Sequence, residues 1–435
     1  MRIGKIRIEN FRGFSEADVI LDGKSAVIYG VNGMGKSTLL DVCNILFSRI
    51  LQAASNDEQI RPIMLTEEDV KIGENATKIT VWFKVDGQTF HYYRSRVDGE
   101  NRHSENLLKP TADYIRKHYI GSLKKEKQSD IDENEAVRIR FIENEANIPI
   151  YLFYGVNRYH ESVRRTLRRY TGTKGKLDAW RDSAFGGDIN FQLFFEWFRG
   201  RQEYENSIRV MDSEAVDFQL EAVRKAILEA LGTDFSMIRV RVTEENAELT
   251  VVKKGQELAF YQLSEGEKSV IALVGDMARR LSIANPKSTN PLLGEGIVLI
   301  DEIDLHLHPS WQAKIFPILQ KVFPNIQFII STHAPKVLES VEGEVQIIRL
   351  YEDEGQIQAE QMEPMNGWDV NTILEDYMDT SPLNEKTARL ILNLKENIKQ
   401  ENFEKAEELV DQLADMTNEM NPEVVRGRIL IAKGR

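Results

Sequence analysis

Gly30-Val31-Asn32-Gly33-Met34-Gly35-Lys36-Ser37 is the stretch that decides the fold of this 435-residue chain. The apolar residues 26–29 before it are typical of a strand, and the apolar spacing after it is typical of a helix. A glycine loop between a strand and a helix points backbone N–H groups and the helix N-terminus at phosphate oxygens. In that arrangement Lys36 would meet the outer phosphates of a nucleotide such as ATP, and Ser37 would be a ligand of Mg²⁺. The residues expected to bind the nucleotide here are Asn32, Gly33, Gly35, Lys36, Ser37 and Thr38.

A second segment is an apolar run that ends in two carboxylates. Residues 296–300 are apolar and lead directly into Asp301 and Glu302. Enzymes with a phosphate-binding loop hold Mg²⁺ with an aspartate at the end of such a strand, which assigns Asp301 to the metal. Glu302 would then accept a proton from the attacking water as general base. A buried strand with acidic residues at its exposed end is the alternative, and the presence of the glycine loop argues against it.

A third segment, residues 263–268 (Leu-Ser-Glu-Gly-Glu-Lys), precedes an apolar-patterned helix and is named the signature segment below. Ser264 is suited to cap this helix, and Glu267 three residues later would complete a capping box. A capped helix N-terminus beside a glycine can also receive a terminal phosphate. The two interpretations are compatible. Ser264, Gly266 and Glu267 are the residues expected to contact such a phosphate.

Composition and charge exclude some classes of protein. A net charge of −13 argues against a general nucleic-acid coat, although residues 158–181 carry eight basic and two acidic side chains, a local excess of six positive charges. Within them, Arg164, Arg165, Arg168 and Arg169 are candidate contacts to nucleic acid, and a solvated helix face or a protein-binding patch is an equal alternative. One cysteine, Cys43, suits a reducing cytosol, and we expect a cytoplasmic protein without a membrane span.

The order of the patterns predicts an α/β fold divided into four parts. Residues 1–97 would be the first part of an ATPase head and residues 98–234 a mainly helical insertion. Residues 235–358, with the signature segment, Asp301 and His333, would complete the head. Three amphipathic helices at 385–398, 402–416 and 422–432 would form a C-terminal helical tail within residues 359–435.

With these elements in this order, the chain resembles the SMC/RecF-like branch of ABC-type ATPases. Within that branch it resembles the overcoming-lysogenisation-defect-like group, and most of all the Septu-type antiphage ATPases, including those encoded beside some retrons. The similarity covers roughly residues 1–345. The segments that carry it are residues 6–14, 154–158, 194–198, 300–309 and 331–335.

The resemblance implies a phosphate-loop head of mixed sheet and helices that uses ATP and Mg²⁺. It places Asn10 and Arg12 near the nucleotide and makes His333 the switch histidine that contacts the γ-phosphate, although a lone histidine at a strand end is usually structural. It also implies a homodimer in which the signature segment of one copy covers the ATP of the other, with higher oligomers open.

Three functions remain to be weighed. The first is an ATP-gated regulator of a separate effector in antiphage defence, because the chain shows no nuclease motif of its own; an HNH-type nuclease would dock on the tail. The second is a RecF-like DNA repair or recombination ATPase, which the arginine cluster favours. The third, a transporter engine, is disfavoured because 228 positions separate Lys36 from Ser264, far more than in transporter heads.

Overall fold

The computed structural model describes residues 1–127, 137–143, 145–156, 175–184, 189–242, 247–378 and 384–434. The strands are β1 (Arg2–Phe11), β2 (Phe14–Ile20), β3 (Ser25–Tyr29), β4 (Ala76–Val85), β5 (Gln88–Val97), β6 (Glu100–His103), β7 (Gly121–Lys127), β8 (Val137–Glu143), β9 (Ile150–Tyr154), β10 (Phe235–Val242), β11 (Ala247–Lys253), β12 (Gln256–Ala259), β13 (Gly296–Ile300), β14 (Ile326–Ser331), β15 (Val345–Asp353) and β16 (Gln356–Met362). The α-helices are α1 (Lys36–Ser55), α2 (Glu105–Ile115), α3 (Phe191–Arg209), α4 (Phe218–Leu231), α5 (Glu265–Ala284), α6 (Pro309–Val322), α7 (Pro335–Glu339), α8 (Val370–Thr372), α9 (Glu385–Lys399), α10 (Phe403–Met416) and α11 (Pro422–Gly434).

The sheet that positions the site has six strands in the order β16-β15-β3-β14-β13-β9. Neighbours from β15 to β9 run parallel, and β16 pairs antiparallel with β15, so the sheet is mixed. Strands β3, β13 and β14 are buried along their whole length, which explains why nearly all of their residues are apolar. The carboxyl ends of β3, β13 and β14 therefore meet at one edge of this sheet.

Helix α1 lies between this sheet and a second, antiparallel sheet of order β2-β1-β4-β5-β6. Phe47 of α1 stacks on Tyr151 of β9 with ring centroids 4.9 Å apart, and its edge meets Phe83 of β4 at 5.2 Å. All three rings are buried. One aromatic side chain of the helix thus packs against both sheets, which fixes where α1 begins relative to the strands.

The remaining elements of the first compact unit, Met1–Gly367, are the three-stranded sheet β10-β11-β12, the β7–β8 hairpin and helices α2 to α7. The predicted α/β fold of mixed sheet and helices is confirmed. Residues 98–234 supply α2, α3 and α4 but also strands β6 to β9. Since β9 forms an edge of the six-stranded sheet, this part of the chain is less purely helical than expected.

The second compact unit, Trp368–Arg435, contains the three predicted tail helices as α9, α10 and α11. They enclose a small core in which Leu394, Val410 and Leu413 are almost fully buried. A Cβ atom at Gly427 would lie 2.8 Å from Val410, so the helices approach closely only because this position lacks a side chain. Residues 359–362, which the sequence assigned to the tail, continue strand β16 instead.

The described ranges contain no helix with the length and apolar character needed to cross a lipid bilayer.

Candidate nucleotide site

The glycine loop connects the end of β3 to α1, and two of its glycines are required by the backbone. Gly35 has a left-handed φ of 81°, and a Cβ atom there would lie 2.6 Å from the ring of Phe14. A Cβ atom at Gly30 would lie 2.2 Å from the carbonyl oxygen of Leu350 in β15. Both distances are shorter than a carbon can approach without displacing its neighbour. The loop is therefore held tightly against β2 and β15.

Lys36 folds back into the loop. Its Nζ donates to the carbonyl oxygens of Gly30 at 2.8 Å and Val31 at 3.1 Å, and the residue is only 6% exposed. Burial lowers the pKa of Lys36, and the carboxylates of Glu302 and Asp301 oppose that shift. These three side chains therefore lie within electrostatic range of one another at the sheet edge.

Asp301 and Glu302 are tied together by Ser331 at the end of the neighbouring strand β14. The Ser331 hydroxyl donates to Oδ1 of Asp301 at 2.5 Å and accepts a hydrogen bond from the Glu302 backbone N–H at 2.7 Å. Asp301 is 4% exposed. Glu302 has a φ of 48°, a left-handed conformation that is strained for a residue with a side chain and clusters at functional sites.

His333 is positioned by a second acidic residue, Asp304. The Thr332 hydroxyl donates to Oδ1 of Asp304 at 2.5 Å, and the His333 backbone N–H donates to the same oxygen at 3.3 Å. Burial and then the positive charge of Lys36 lower the pKa of His333, while Glu302 and Asp304 oppose the shift. The imidazole is thus neutral near pH 7 and lies within electrostatic reach of Lys36.

Arg12 borders the start of α1, and Asn10 lies two positions before it near the end of β1. Both residues have a φ near 50°, which bends the chain between β1 and β2. Arg12 donates to Asp41 of α1 at 2.6 Å and to Asp69 at 3.0 Å. Burial lowers the pKa of Arg12, but the hydrogen bond and charge of Asp41 outweigh it and leave that pKa raised. Arg12 is therefore fastened to the helix that follows the glycine loop.

The signature segment begins α5 with the predicted capping box, which is confirmed. The Ser264 hydroxyl accepts from the Glu267 backbone N–H at 3.4 Å, and the Glu267 carboxylate accepts from the Ser264 N–H at 3.0 Å. Lys253 of β11 donates to the other Glu267 oxygen at 2.7 Å. A Cβ atom at Gly266 would lie 3.4 Å from the indole of Trp311 in α6. Glu267 is thus held by its own helix and by β11.

One sheet edge brings together Lys36, Asp301, Glu302 and His333. The signature segment instead contacts β11 through Lys253 and α6 through Trp311. The oxygen donors at the edge suit Mg²⁺. The buried carboxylate of Asp301 and the exposed hydroxyl of Ser37, at the first turn of α1, offer the hard ligands this ion prefers. The sequence did not single out Ser331, Thr332, Asp304 or Asp41, although each is polar and lies close to a predicted site residue.

The arginines proposed to contact nucleic acid, Arg164, Arg165, Arg168 and Arg169, lie outside the described residues. Two other members of that basic stretch are described. Lys176 donates to the carbonyl oxygens of Tyr119 and Ala146, and Arg181 pairs with Asp57 at 3.0 Å. Their charges are therefore used in internal contacts. The local positive charge available to a partner is smaller than the sequence count indicates.

A family described as "AAA domain, putative AbiEii toxin, Type IV TA system" matches residues 25–339. That range begins with β3, ahead of the glycine loop, includes Asp301 and His333, and ends at the last residue of α7. The match thus covers the glycine loop, Asp301, Glu302, His333 and the signature segment, begins after Asn10 and Arg12, and stops before the C-terminal unit.

Several known proteins are also similar to this chain. The "Retron Ec83 probable ATPase" of Escherichia coli is 30% identical over 407 residues, covering 79% of this chain and 70% of that protein. The "Retron Vc95 probable ATPase" of Vibrio cholerae serotype O1 biovar El Tor is 30% identical over 394 residues, covering 79% and 72%. The "Septu protein PtuA" of Bacillus thuringiensis is 28% identical over 266 residues, covering 59% and 65%. These are retron and Septu proteins, the two groups that the sequence motifs indicated.

Proposed function

The chain belongs to this AAA-domain family, and we propose that this ATPase joins in pairs around ATP to control a separate effector nuclease in antiphage defence. Its similarity to the two retron ATPases and to Septu protein PtuA supports the proposal. The observation that carries the proposal is the sheet edge where Lys36, Asp301, Glu302 and His333 lie together. The positive charge of Lys36 beside the negative charges of Asp301 and Glu302 suits a phosphate chain held with a divalent cation.

In the proposed mechanism the glycine loop and Lys36 bind the phosphates of ATP, with Asn32, Gly33, Gly35 and Thr38 around them. Ser37 and Asp301 hold Mg²⁺, which when bound withdraws negative charge from the phosphates. Ser331 keeps the Asp301 carboxylate oriented through its 2.5 Å hydrogen bond. Ordered donors around the phosphates contribute by stabilising the charge that develops during transfer.

Glu302 is the proposed general base. Its backbone N–H is held by Ser331, and its strained φ of 48° turns the residue away from the path of β13. The neutral imidazole of His333 can donate one hydrogen bond to the terminal phosphate without adding charge.

The second copy is needed because of the place of the signature segment. Its contacts are with β11 and α6, so we propose that Ser264, Gly266 and the N-terminus of α5 cover the ATP of a partner molecule. A helix of 20 residues offers its positive end to a phosphate. Glu302→Gln should bind ATP but turn it over slowly. That variant should therefore accumulate as a dimer when ATP and Mg²⁺ are supplied.

We propose that the effector is an HNH-type nuclease and that it docks on the C-terminal unit. Apolar side chains remain exposed there on α11 and just before it: Val425 at 41%, Ile429 at 49%, Leu430 at 42% and Met420 at 84%. Val425 and Ile429 are four positions apart, so they share one face of the helix. A helix face of this kind can seat in a groove of a partner.

Contact with nucleic acid through Arg164, Arg165, Arg168 and Arg169 stays a prediction. Reversing all four charges should abolish binding to DNA or RNA if they meet the phosphate backbone. Because each neutralised phosphate releases counterions, binding by the wild-type protein should weaken steeply with added salt. Strong, salt-dependent DNA binding without any effect on a nuclease would favour the repair ATPase instead.

A further inference from the structure

Tyr154 connects the metal-binding aspartate to a distant helix through its two ends. The residue is the last of β9 and pairs with Ile300 of β13. Its carbonyl oxygen accepts a hydrogen bond from the backbone N–H of Asp301 at 2.8 Å. Its phenol donates to Oδ2 of Asp276, in the middle of α5, at 2.9 Å. One buried side chain therefore spans from the strand edge of the site to helix α5.

The far end of this connection is rigid. Asp276 is 3% exposed and accepts hydrogen bonds from Arg279 at 2.6 Å and Arg280 at 2.8 Å. Arg280 also donates to the carbonyl oxygens of Ala179 and Arg181 at 3.0 and 2.9 Å. Burial raises the pKa of Asp276, but the two arginines outweigh it and keep the carboxylate ionised. The phenol thus bonds to a charged acceptor whose position within α5 is fixed by two arginines of the same helix.

Helix α5 connects Asp276 to the signature segment. Ser264 caps the helix and Asp276 lies 12 positions later, so about 18 Å of continuous helix separates them at 1.5 Å per residue. Most of the residues between Ser264 and Asp276 are buried, so these turns are packed along their length. The described contacts therefore form an unbroken path from Asp301, through Tyr154 and α5, to Ser264.

We propose that Tyr154 is a positioning residue that couples the Mg·ATP site of each copy to its own signature segment. This inference rests on the proposed function, in which that segment covers the ATP of the other copy. Occupancy at Asp301 shifts the end of β9, and the Tyr154 phenol moves α5 with it. Each copy then offers a correctly placed signature segment only when its own site is filled, which makes the two sites of the dimer cooperative.

The test removes only the phenol hydroxyl. In the Glu302→Gln background, Tyr154→Phe should raise the dimer dissociation constant at saturating Mg·ATP about tenfold, within the range usual for coupling between sites. The affinity of the monomer for a fluorescent methylanthraniloyl-ATP should not change. Phe fits because Asp276 keeps its bonds to Arg279 and Arg280. Sedimentation velocity gives the dimer constant and fluorescence titration at low protein concentration gives the monomer affinity.

Tyr151→Phe is the matched control. Tyr151 lies on the same strand, is fully buried and donates its phenol to Asn44 at 3.4 Å, without reaching α5. It should leave the dimer constant unchanged. An unchanged constant for Tyr154→Phe, an equal shift for Tyr151→Phe, or a loss of monomer affinity that accounts for the shift would each overturn the coupling. Failure of Glu302→Gln itself to dimerise would instead overturn the proposed function, and this proposal with it.

Discussion

The Ser331 hydroxyl donates a hydrogen bond to the Asp301 carboxylate over 2.5 Å, joining the ends of two adjacent parallel strands. Both residues are buried, and the same hydroxyl accepts from the backbone N–H of Glu302. Ser331 therefore positions both Asp301, the proposed metal ligand, and Glu302, the proposed general base, although it has neither role itself. The contribution of this small uncharged residue at the end of β14 can be measured by substitution.

Ser331→Ala removes both hydrogen bonds while leaving every charge in place. Because a ligand's supporting partner typically contributes about 10- to 100-fold to metal affinity or activity, ATP turnover should fall and the Mg²⁺ requirement should rise by amounts in that range. Phosphate release measured against Mg²⁺ concentration gives both. Ser340→Ala is the control, since the Ser340 hydroxyl donates to the Val337 carbonyl oxygen at the end of α7. Equal Mg²⁺ curves for Ser331→Ala and wild type would contradict the assignment.

Gly35→Ala and Gly33→Ala separate steric clash from backbone strain. Both positions have left-handed φ values, 81° and 86°, so both substitutions should cost on the order of 1 kcal/mol of stability. Only at Gly35 would the new Cβ atom meet a side chain, the ring of Phe14 at 2.6 Å, whereas Gly33 has open space around it. Chemical denaturation without nucleotide should therefore show a clearly larger loss for Gly35→Ala. Equal losses would mean that Phe14 moves aside freely.

His333 should make the stability of the protein depend on pH in the weakly acidic range. Its pKa is lowered in the folded state, so the unfolded chain binds more protons near and below pH 6.5 and stability falls as pH falls. His333→Gln should flatten that decline between pH 7.5 and pH 5.5. Melting temperatures at the two pH values give the comparison. His91→Gln, at an exposed position of β5, should retain the wild-type difference.

Buried and exposed apolar residues of the C-terminal unit should behave oppositely. Leu413→Ala empties part of the three-helix core and should cost about 2–5 kcal/mol of that unit's stability. Ile429→Ser, half exposed on α11, should change stability by less than about 0.5 kcal/mol but abolish capture of the co-expressed nuclease. Circular dichroism and affinity purification measure the two effects. Undiminished capture by Ile429→Ser would place the docking surface elsewhere.

Local sequence patterns were sufficient for the parts of the site formed by neighbouring residues. The glycine loop, the Asp301–Glu302 pair and the capping box of Ser264 and Glu267 each depend on a few consecutive positions. The physical requirements there, a tight turn, a buried strand and a satisfied helix end, are met within one turn or strand. The capping box and the mixed α/β architecture are for this reason confirmed by the structure.

Contacts between distant segments could not be predicted in the same way. Ser331 reaches Asp301 over 30 positions because the strand order places β14 beside β13, and Tyr154 reaches Asp276 over 122 because β9 packs against α5. Nothing in the spacing of these residues specifies that order. Likewise, the sequence alone gives no sign that Arg181 has an acidic partner. Only the fold shows that it forms an ion pair with Asp57.

The most direct test of the proposed ATP-dependent pairing is the mass of the Glu302→Gln variant in solution. Sedimentation equilibrium with Mg²⁺ and saturating ATP should give twice the 50.0 kDa of one chain, and Ser264→Arg in the same background should return it to a monomer. Without nucleotide the double-mass species should disappear. A Glu302→Gln protein that binds ATP yet sediments as a single chain would contradict the account.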